Sequence, residues 1–220
     1  MSRAILFDFN GVIVDDEPQH CDSLIATLTT YGYTLDRERY YREYLGFDDR
    51  ECFRFTFERM GRDPEPPVIA EAIERKAVLY DQAIRASLSL VPGSAEFIRR
   101  AADEGYRLAV VSGALRREID LVLMLSGLRS HFEVIVAAED VASCKPSPEG
   151  YQKARGALAI ELDRCLVIED SLPGLEAARR AGLRCAMIAT SHAASALAEA
   201  DLVWPTLEGR SPAELPWRDE

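Results

Sequence analysis

Four polar side chains stand where short apolar runs stop, and that placement is the first sign of chemistry. Asp8 ends the run at 4–7, Ser112 ends 107–111, and Glu169 with Asp170 ends 165–168; Lys145 follows a further run, 134–137, inside SCKPSP. An aspartate at a strand end caps the next turn just as readily, so no single position decides anything. Their joint placement does. Three acids (Asp8, Glu169, Asp170) brought together would repel, and a hard divalent cation resolves this. Mg²⁺ accepts a few carboxylates together with waters and phosphate oxygens. Lys145 can neutralise both a nucleophilic carboxylate and a phosphate oxygen. The Ser112 hydroxyl and the backbone N–H groups of Gly113 and Ala114 can donate to a phosphoryl group at a helix N-terminus. Asp8 is then free to attack phosphorus and form an aspartyl-phosphate, with metal and lysine dispersing the charge on the transferring group.

Such groups meet only if the elements bring them to one edge. The apolar runs at 4–7, 107–111, 134–137, 165–168 and 185–189 read as strands buried on both faces. Amphipathic stretches at 93–103, 115–126, 148–159 and 172–181 separate the later runs. Strands alternating with helices predict an α/β protein with a parallel, Rossmann-like sheet. Ligands of such sheets bind beyond the carboxyl ends of the strands. Gly105, Gly127 and Gly182 fall at expected helix C-caps.

Between 17 and 85 no strand-like run occurs. Three helical stretches fill this block. One stops at Gly32. One opens with a capping box, Asp48 with Glu51, and stops at Gly61. One starts on prolines. The sequence therefore predicts a core of residues 1–15 and 88–220 with a helical insertion at 16–87.

Composition narrows the partners. The chain has 220 residues, 48% of them apolar, and a net charge of −11. That length buries a sizeable core. The charge argues against a nucleic-acid partner, which needs a basic face. The five cysteines (Cys21, Cys52, Cys144, Cys165, Cys185) include no C-x-x-C pair. Neither a disulfide framework nor a zinc site is supported, and a cytoplasmic location is expected. No apolar stretch approaches membrane-spanning length, so no membrane partner is expected. The first apolar run, broken by Asp8, reads as a strand rather than a signal peptide.

DFNGVIVDDEPQH, VVSGA, CKPSP and VIEDSLPGLEAARRAG resemble, in order, the four motifs of the haloacid-dehalogenase-like hydrolase superfamily. The likeness is strongest to its phosphatase and β-phosphoglucomutase-like branch and runs from Asp8 to Gly182. The resemblance implies a helical cap inserted after the first motif, which the block at 16–87 fits. It implies that Asp8 is the nucleophile, that Ser112 and Lys145 bind the phosphoryl group, and that Asp170 ligates Mg²⁺, supported by Glu169. It also implies that the backbone carbonyl of Asn10 reaches the metal.

Residue 10 departs from the pattern. Phosphatases of the superfamily carry a second Asp there, which protonates the leaving oxygen and later activates water. Asn10 keeps the carbonyl and loses that proton chemistry, worth roughly 10²- to 10⁴-fold in rate. Asp16 is one candidate substitute, although a helix N-cap explains it as well.

Other positions stay open between two readings. His20 reads as a partly buried polar residue, or lines a cleft, as histidines of relatives do. Gly46 reads as a turn glycine in a loop resembling the cap's specificity loop. Arg50 and Arg116 either hold an anionic group of the substrate or are solvated. Lys76 resembles a cap lysine that faces the cleft in mutase-like members.

The function expected is a Mg²⁺-dependent phosphohydrolase acting on a small phosphorylated metabolite, with the protein a monomer or small homo-oligomer. A sugar-phosphate mutase is the first alternative, weakened because Leu45 stands where mutase-like relatives have lysine. A phosphate-ligand binder without turnover is the second, supported by Asn10.

Overall fold

A computed structural model describes residues 2–218. The first strand, β1 (Ala4–Phe7), is buried along its whole length, as a strand covered on both faces must be. The chain then enters a helical segment with α1 (Glu17–Thr30), α2 (Arg37–Glu43), α3 (Asp49–Arg59) and α4 (Pro66–Ala86). It returns through α5 (Ser94–Asp103), β2 (Arg107–Val111), α6 (Arg116–Leu125), β3 (Phe132–Val136), α7 (Glu149–Ala157), β4 (Cys165–Glu169), α8 (Leu172–Arg180), β5 (Arg184–Ile188) and β6 (Leu202–Trp204). The chain divides into two compact units: one runs through Asp15 and resumes at Ser89, the other is Asp16–Leu88.

Among the described residues of the first unit all six strands are parallel, in the order β3-β2-β1-β4-β5-β6. This is a Rossmann-like α/β fold. The order reverses between β1 and β4, and a crevice opens beyond the carboxyl ends of strands at such a point. On one face of the sheet Leu6, Val111, Val167 and Met187 pack with Tyr151 and Ala154 of α7 and Leu175 and Ala178 of α8.

In this first unit β3 and β6 depart from the sequence expectation. β3 begins at Phe132, ahead of the apolar run at 134, because the Phe132 ring packs edge-on against Phe7 with centroids 5.8 Å apart. Exposed Glu133 interrupts the apolar run and hides this start. β6 was not anticipated: it is three residues long and sits at the sheet edge beside β5.

The second unit has its own core, in which Leu24, Leu28, Tyr44, Phe53, Phe57 and Ala72 are buried together. The capping box of α3 forms: Glu51 N–H donates to Asp48 Oδ1 at 2.8 Å and Asp48 N–H to Glu51 Oε2 at 3.3 Å. The short helix α2 was not anticipated. It is capped by the Asp36 side chain, which accepts from Arg39 N–H at 2.8 Å.

Candidate active site

The strand ends aim the site. Asp8 follows β1 directly, and its N–H still donates to the Ile168 carbonyl at 2.9 Å. That last sheet bond fixes the Asp8 backbone beside β4, whose final residue is Glu169. Ser112 N–H donates in the same way to Val136 at 3.0 Å. Lys145, from the β3–α7 loop, places Nζ 2.5 Å from Asp8 Oδ1 and 2.5 Å from Glu169 Oε1. Asp8, Glu169 and Asp170 are all buried, and each offers a carboxylate oxygen within 4.8 Å of the others.

Glu169 is saturated. Oε1 also accepts from Tyr151 OH at 2.8 Å, and Oε2 accepts from the N–H groups of Asp170 and Ser171 and from Ser171 Oγ at 2.9–3.0 Å. A side chain with this many donors holds Lys145 and the turn into α8. The turn is tight as well: a Cβ on Gly174 would lie 1.8 Å from Glu169 Oε1.

One ammonium faces three carboxylates, and the titration follows from that imbalance. Burial, reinforced by the Glu169 charge, pushes the Asp8 carboxyl up to about 7 despite Lys145. Asp170 is raised well above the carboxylate range by burial and by the Asp8 and Glu169 charges. Burial works against charge on Glu169 too, but the Lys145 ammonium outweighs it and holds that pKa low. The Lys145 ammonium resists its own burial because Asp8 and Glu169 hold its pKa above that of an ordinary lysine.

At Asn10, Oδ1 accepts from Ser112 Oγ at 3.4 Å. Ser112 Oγ in turn accepts from Ala114 N–H at 3.0 Å. The Ala114 N–H is thus engaged within its own turn. Gly113 stands between them, exposed. Arg116 is paired while staying partly exposed. Its guanidinium is bound to Asp140 and donates to the Ile135 carbonyl at 2.9 Å, so it ties α6 to the end of β3.

The family model of haloacid dehalogenase-like hydrolases matches residues 5–188. The chain belongs to that family. Protein CbbY of Cereibacter sphaeroides is 35% identical over 194 residues, 84% of this chain and 83% of the relative. Validoxylamine A 7'-phosphate phosphatase of Streptomyces hygroscopicus subsp. limoneus is 29% identical over 203 residues, 92% of this chain and 93% of the relative. A variant of CbbY from Rhodobacter sphaeroides, solved in complex with xylulose-(1,5)bisphosphate, is similar with a TM-score of 0.87 at 31% identity, covering 97% of this chain and 98% of that one.

In this hydrolase the remaining candidate residues lie in the helical unit, where several form one buried group. Lys76 is 1% exposed, with Nζ 2.7 Å from His20 Nδ1 and 2.6 Å from Asp49 Oδ1. His20 Nε2 lies 3.3 Å from Asp16 Oδ2, and its ring stacks on Tyr80 with centroids 4.4 Å apart. Tyr80 OH donates to Asp16. Asp16 does occupy the first cap position of α1, yet its carboxylate makes no cap hydrogen bond there; the expectation of a helix-capping side chain is corrected. The carboxylate is instead held by Tyr80 and His20. Gly46 has φ +89° and is exposed, and Arg50 is exposed on the first turn of α3.

Sequence reasoning missed Tyr151, Thr190 and Ser191. Tyr151 gave no signal, because a tyrosine on an amphipathic helix reads as core. Thr190 and Ser191 follow β5 and obey the same strand-end rule that found Asp8 and Asp170.

Proposed function

We propose that this chain is a Mg²⁺-dependent phosphohydrolase acting on a small phosphorylated sugar or a similar phosphomonoester. The observation that carries the reading is Asp8 held 2.5 Å from Lys145 beside Asp170, at the point where the sheet order reverses. The names of the relatives support the substrate class: one of Thermotoga maritima is a phosphorylated carbohydrates phosphatase, and another was crystallised with xylulose-(1,5)bisphosphate.

The donor set fits a hard cation. It consists of oxygens only, and it holds more negative charge than Lys145 can balance. Asp8, Asp170 and the Asn10 carbonyl would hold Mg²⁺, with Glu169 behind them. Bound there, Mg²⁺ supplies charge neutralisation for the phosphoryl oxygens. Asp8 attacks phosphorus, forming an acyl–phosphate bond as the ester P–O bond breaks and the leaving oxygen takes a proton from solvent water. Water then attacks the phosphorus, the aspartyl–oxygen bond to phosphorus breaks, and Asp8 and inorganic phosphate are released. Lys145 and Ser112 bind the oxygens of the transferring group. Asn10 can neither give the proton to the leaving oxygen nor take one from water, so turnover is attenuated. The helical unit is assigned the role of the cap.

The test is phosphate release from a panel of phosphorylated sugars with Mg²⁺ and with a chelator, for the parent and for Asp8→Asn. Release that requires Mg²⁺ and vanishes in Asp8→Asn is expected. Equal release in both proteins overturns Asp8 as nucleophile. Asn10 also favours one second reading, a binder that retains phosphoesters without turning them over. Thermal stabilisation by these compounds with no phosphate release by the parent would favour it.

A further inference from the structure

The loop after β5 touches both the motif-one turn and the Asp170 carboxylate. Thr190 Oγ1 donates to the Gly11 carbonyl at 2.7 Å and lies 3.4 Å from Asp170 Oδ2. Ser191 Oγ donates to the same Oδ2. Gly11, with φ +74°, allows this packing: a Cβ there would fall 1.9 Å from Asp170 Oδ2. One carboxylate oxygen is thus fixed by a hydroxyl and by the bare Cα of Gly11. A carboxylate clamped through one oxygen has a defined direction for the other. The Gly11 carbonyl, held by Thr190, fixes the turn that carries Asn10. The family model's match ends at residue 188, before either hydroxyl residue.

We propose that Ser191 and Thr190 are positioning residues that orient Asp170 and the 10–11 turn for the divalent cation. Ser191 sets the carboxylate rotamer. Thr190 sets the distance between the motif-one turn and the end of β4. Thr190 lies much nearer the Gly11 carbonyl than the Asp170 carboxylate, so the bond to Gly11 is its main contact and Ser191 carries the carboxylate. Groups that orient metal-ligating carboxylates typically change metal affinity by 10- to 100-fold when removed.

This inference rests on the reading of Asp170 as a Mg²⁺ ligand, and the experiment separates the two. Mg²⁺ binding to the substrate-free protein is measured by titration calorimetry for the parent, Ser191→Ala, Ser191→Thr, Thr190→Val and Asp170→Ala. Folding is checked by circular dichroism. Ser191→Ala is expected to weaken Mg²⁺ roughly 10-fold or more, Ser191→Thr to restore most of that affinity, and Thr190→Val to weaken it as well. Asp170→Ala is expected to abolish binding. If Asp170→Ala abolishes binding while Ser191→Ala and Thr190→Val bind as the parent does, the positioning role is wrong and the metal reading stands. If Asp170→Ala binds Mg²⁺ as tightly as the parent, the metal reading fails and the inference falls with it.

Discussion

At the scale of single residues, Asn10 and Asp8 have the sharpest consequences. Asn10 can offer a backbone carbonyl to a cation, so replacing it by aspartate should alter metal binding little while adding a proton donor and later a base. Asn10→Asp should therefore raise the rate on an unactivated phosphomonoester by roughly 10²- to 10⁴-fold. The gain should shrink for aryl phosphates, whose leaving groups need little protonation. No gain on any ester that binds would mean that a missing acid–base group is not what limits turnover. Asp8 links the site to pH. Its carboxyl is pushed up to about 7 in the folded, metal-free protein, chiefly by burial. Between the ordinary carboxylate range and about 7 the folded state therefore holds a proton that the unfolded chain has released. Stability from this group is fully present at low pH and is lost as pH rises through about 7. Asp170, also raised, acts in the same sense. Mg²⁺ must displace those protons at low pH and meets bare carboxylates at high pH. Added Mg²⁺ should raise the melting temperature more at pH 8 than at pH 5. An equal rise at both would show that these carboxyls are not the groups that bind it.

At the scale of elements, two junctions carry defined strain or charge. The turn after β1 depends on Gly11. Alanine there meets the Asp170 carboxylate at 1.9 Å and must also adopt φ +74°. The backbone conformation alone costs about 1–2 kcal/mol, so Gly11→Ala should lower thermal stability by at least that much, readable in a denaturant melt. The start of α1 is tied to α4 instead of being capped locally. Asp16 is buried and accepts from Tyr80. Losing the donor leaves a buried carboxylate short of a partner, so Tyr80→Phe should cost roughly 1–3 kcal/mol. Asp16→Asn and Tyr80→Phe should show a coupling energy of about 0.5–3 kcal/mol in a double-mutant cycle. Additive effects would place the two groups in separate networks.

At the scale of the whole molecule, the insertion is a unit with its own buried aromatic and aliphatic cluster, entered after Asp15 and left before Ser89. A unit that carries its own core can in principle fold alone. The isolated segment 16–88 is expected to give a helical circular-dichroism spectrum with a cooperative thermal transition. A sloping, non-cooperative melt would show that its stability depends on the rest of the chain. Small units are marginal because they bury a smaller share of their surface, so a low transition temperature is part of the expectation.

The sequence by itself determined the parallel sheet and the residues at its carboxyl ends, because strands buried on both faces leave unbroken apolar runs and polar residues mark where those runs stop. Asp8, Ser112, Glu169 and Asp170 were legible for that reason, and Lys145 from the loop that follows the third run. Helix boundaries set by a capping box or a C-terminal glycine, as at Asp48 and Gly105, were legible because they rest on local hydrogen bonds and backbone angles. Only the tertiary structure decided which partner each charge takes. Arg116 pairs with Asp140, Lys76 with Asp49 and His20, and Asp16 accepts from Tyr80 instead of from the first-turn N–H groups of α1. Nothing in a linear pattern records such pairings, since each joins residues from separate elements whose approach is set by packing. The clamp of Thr190 and Ser191 on Gly11 and Asp170 likewise joins three strand ends. It exists because the sheet order sets β4 between β1 and β5, a neighbourhood that the chain order alone does not specify.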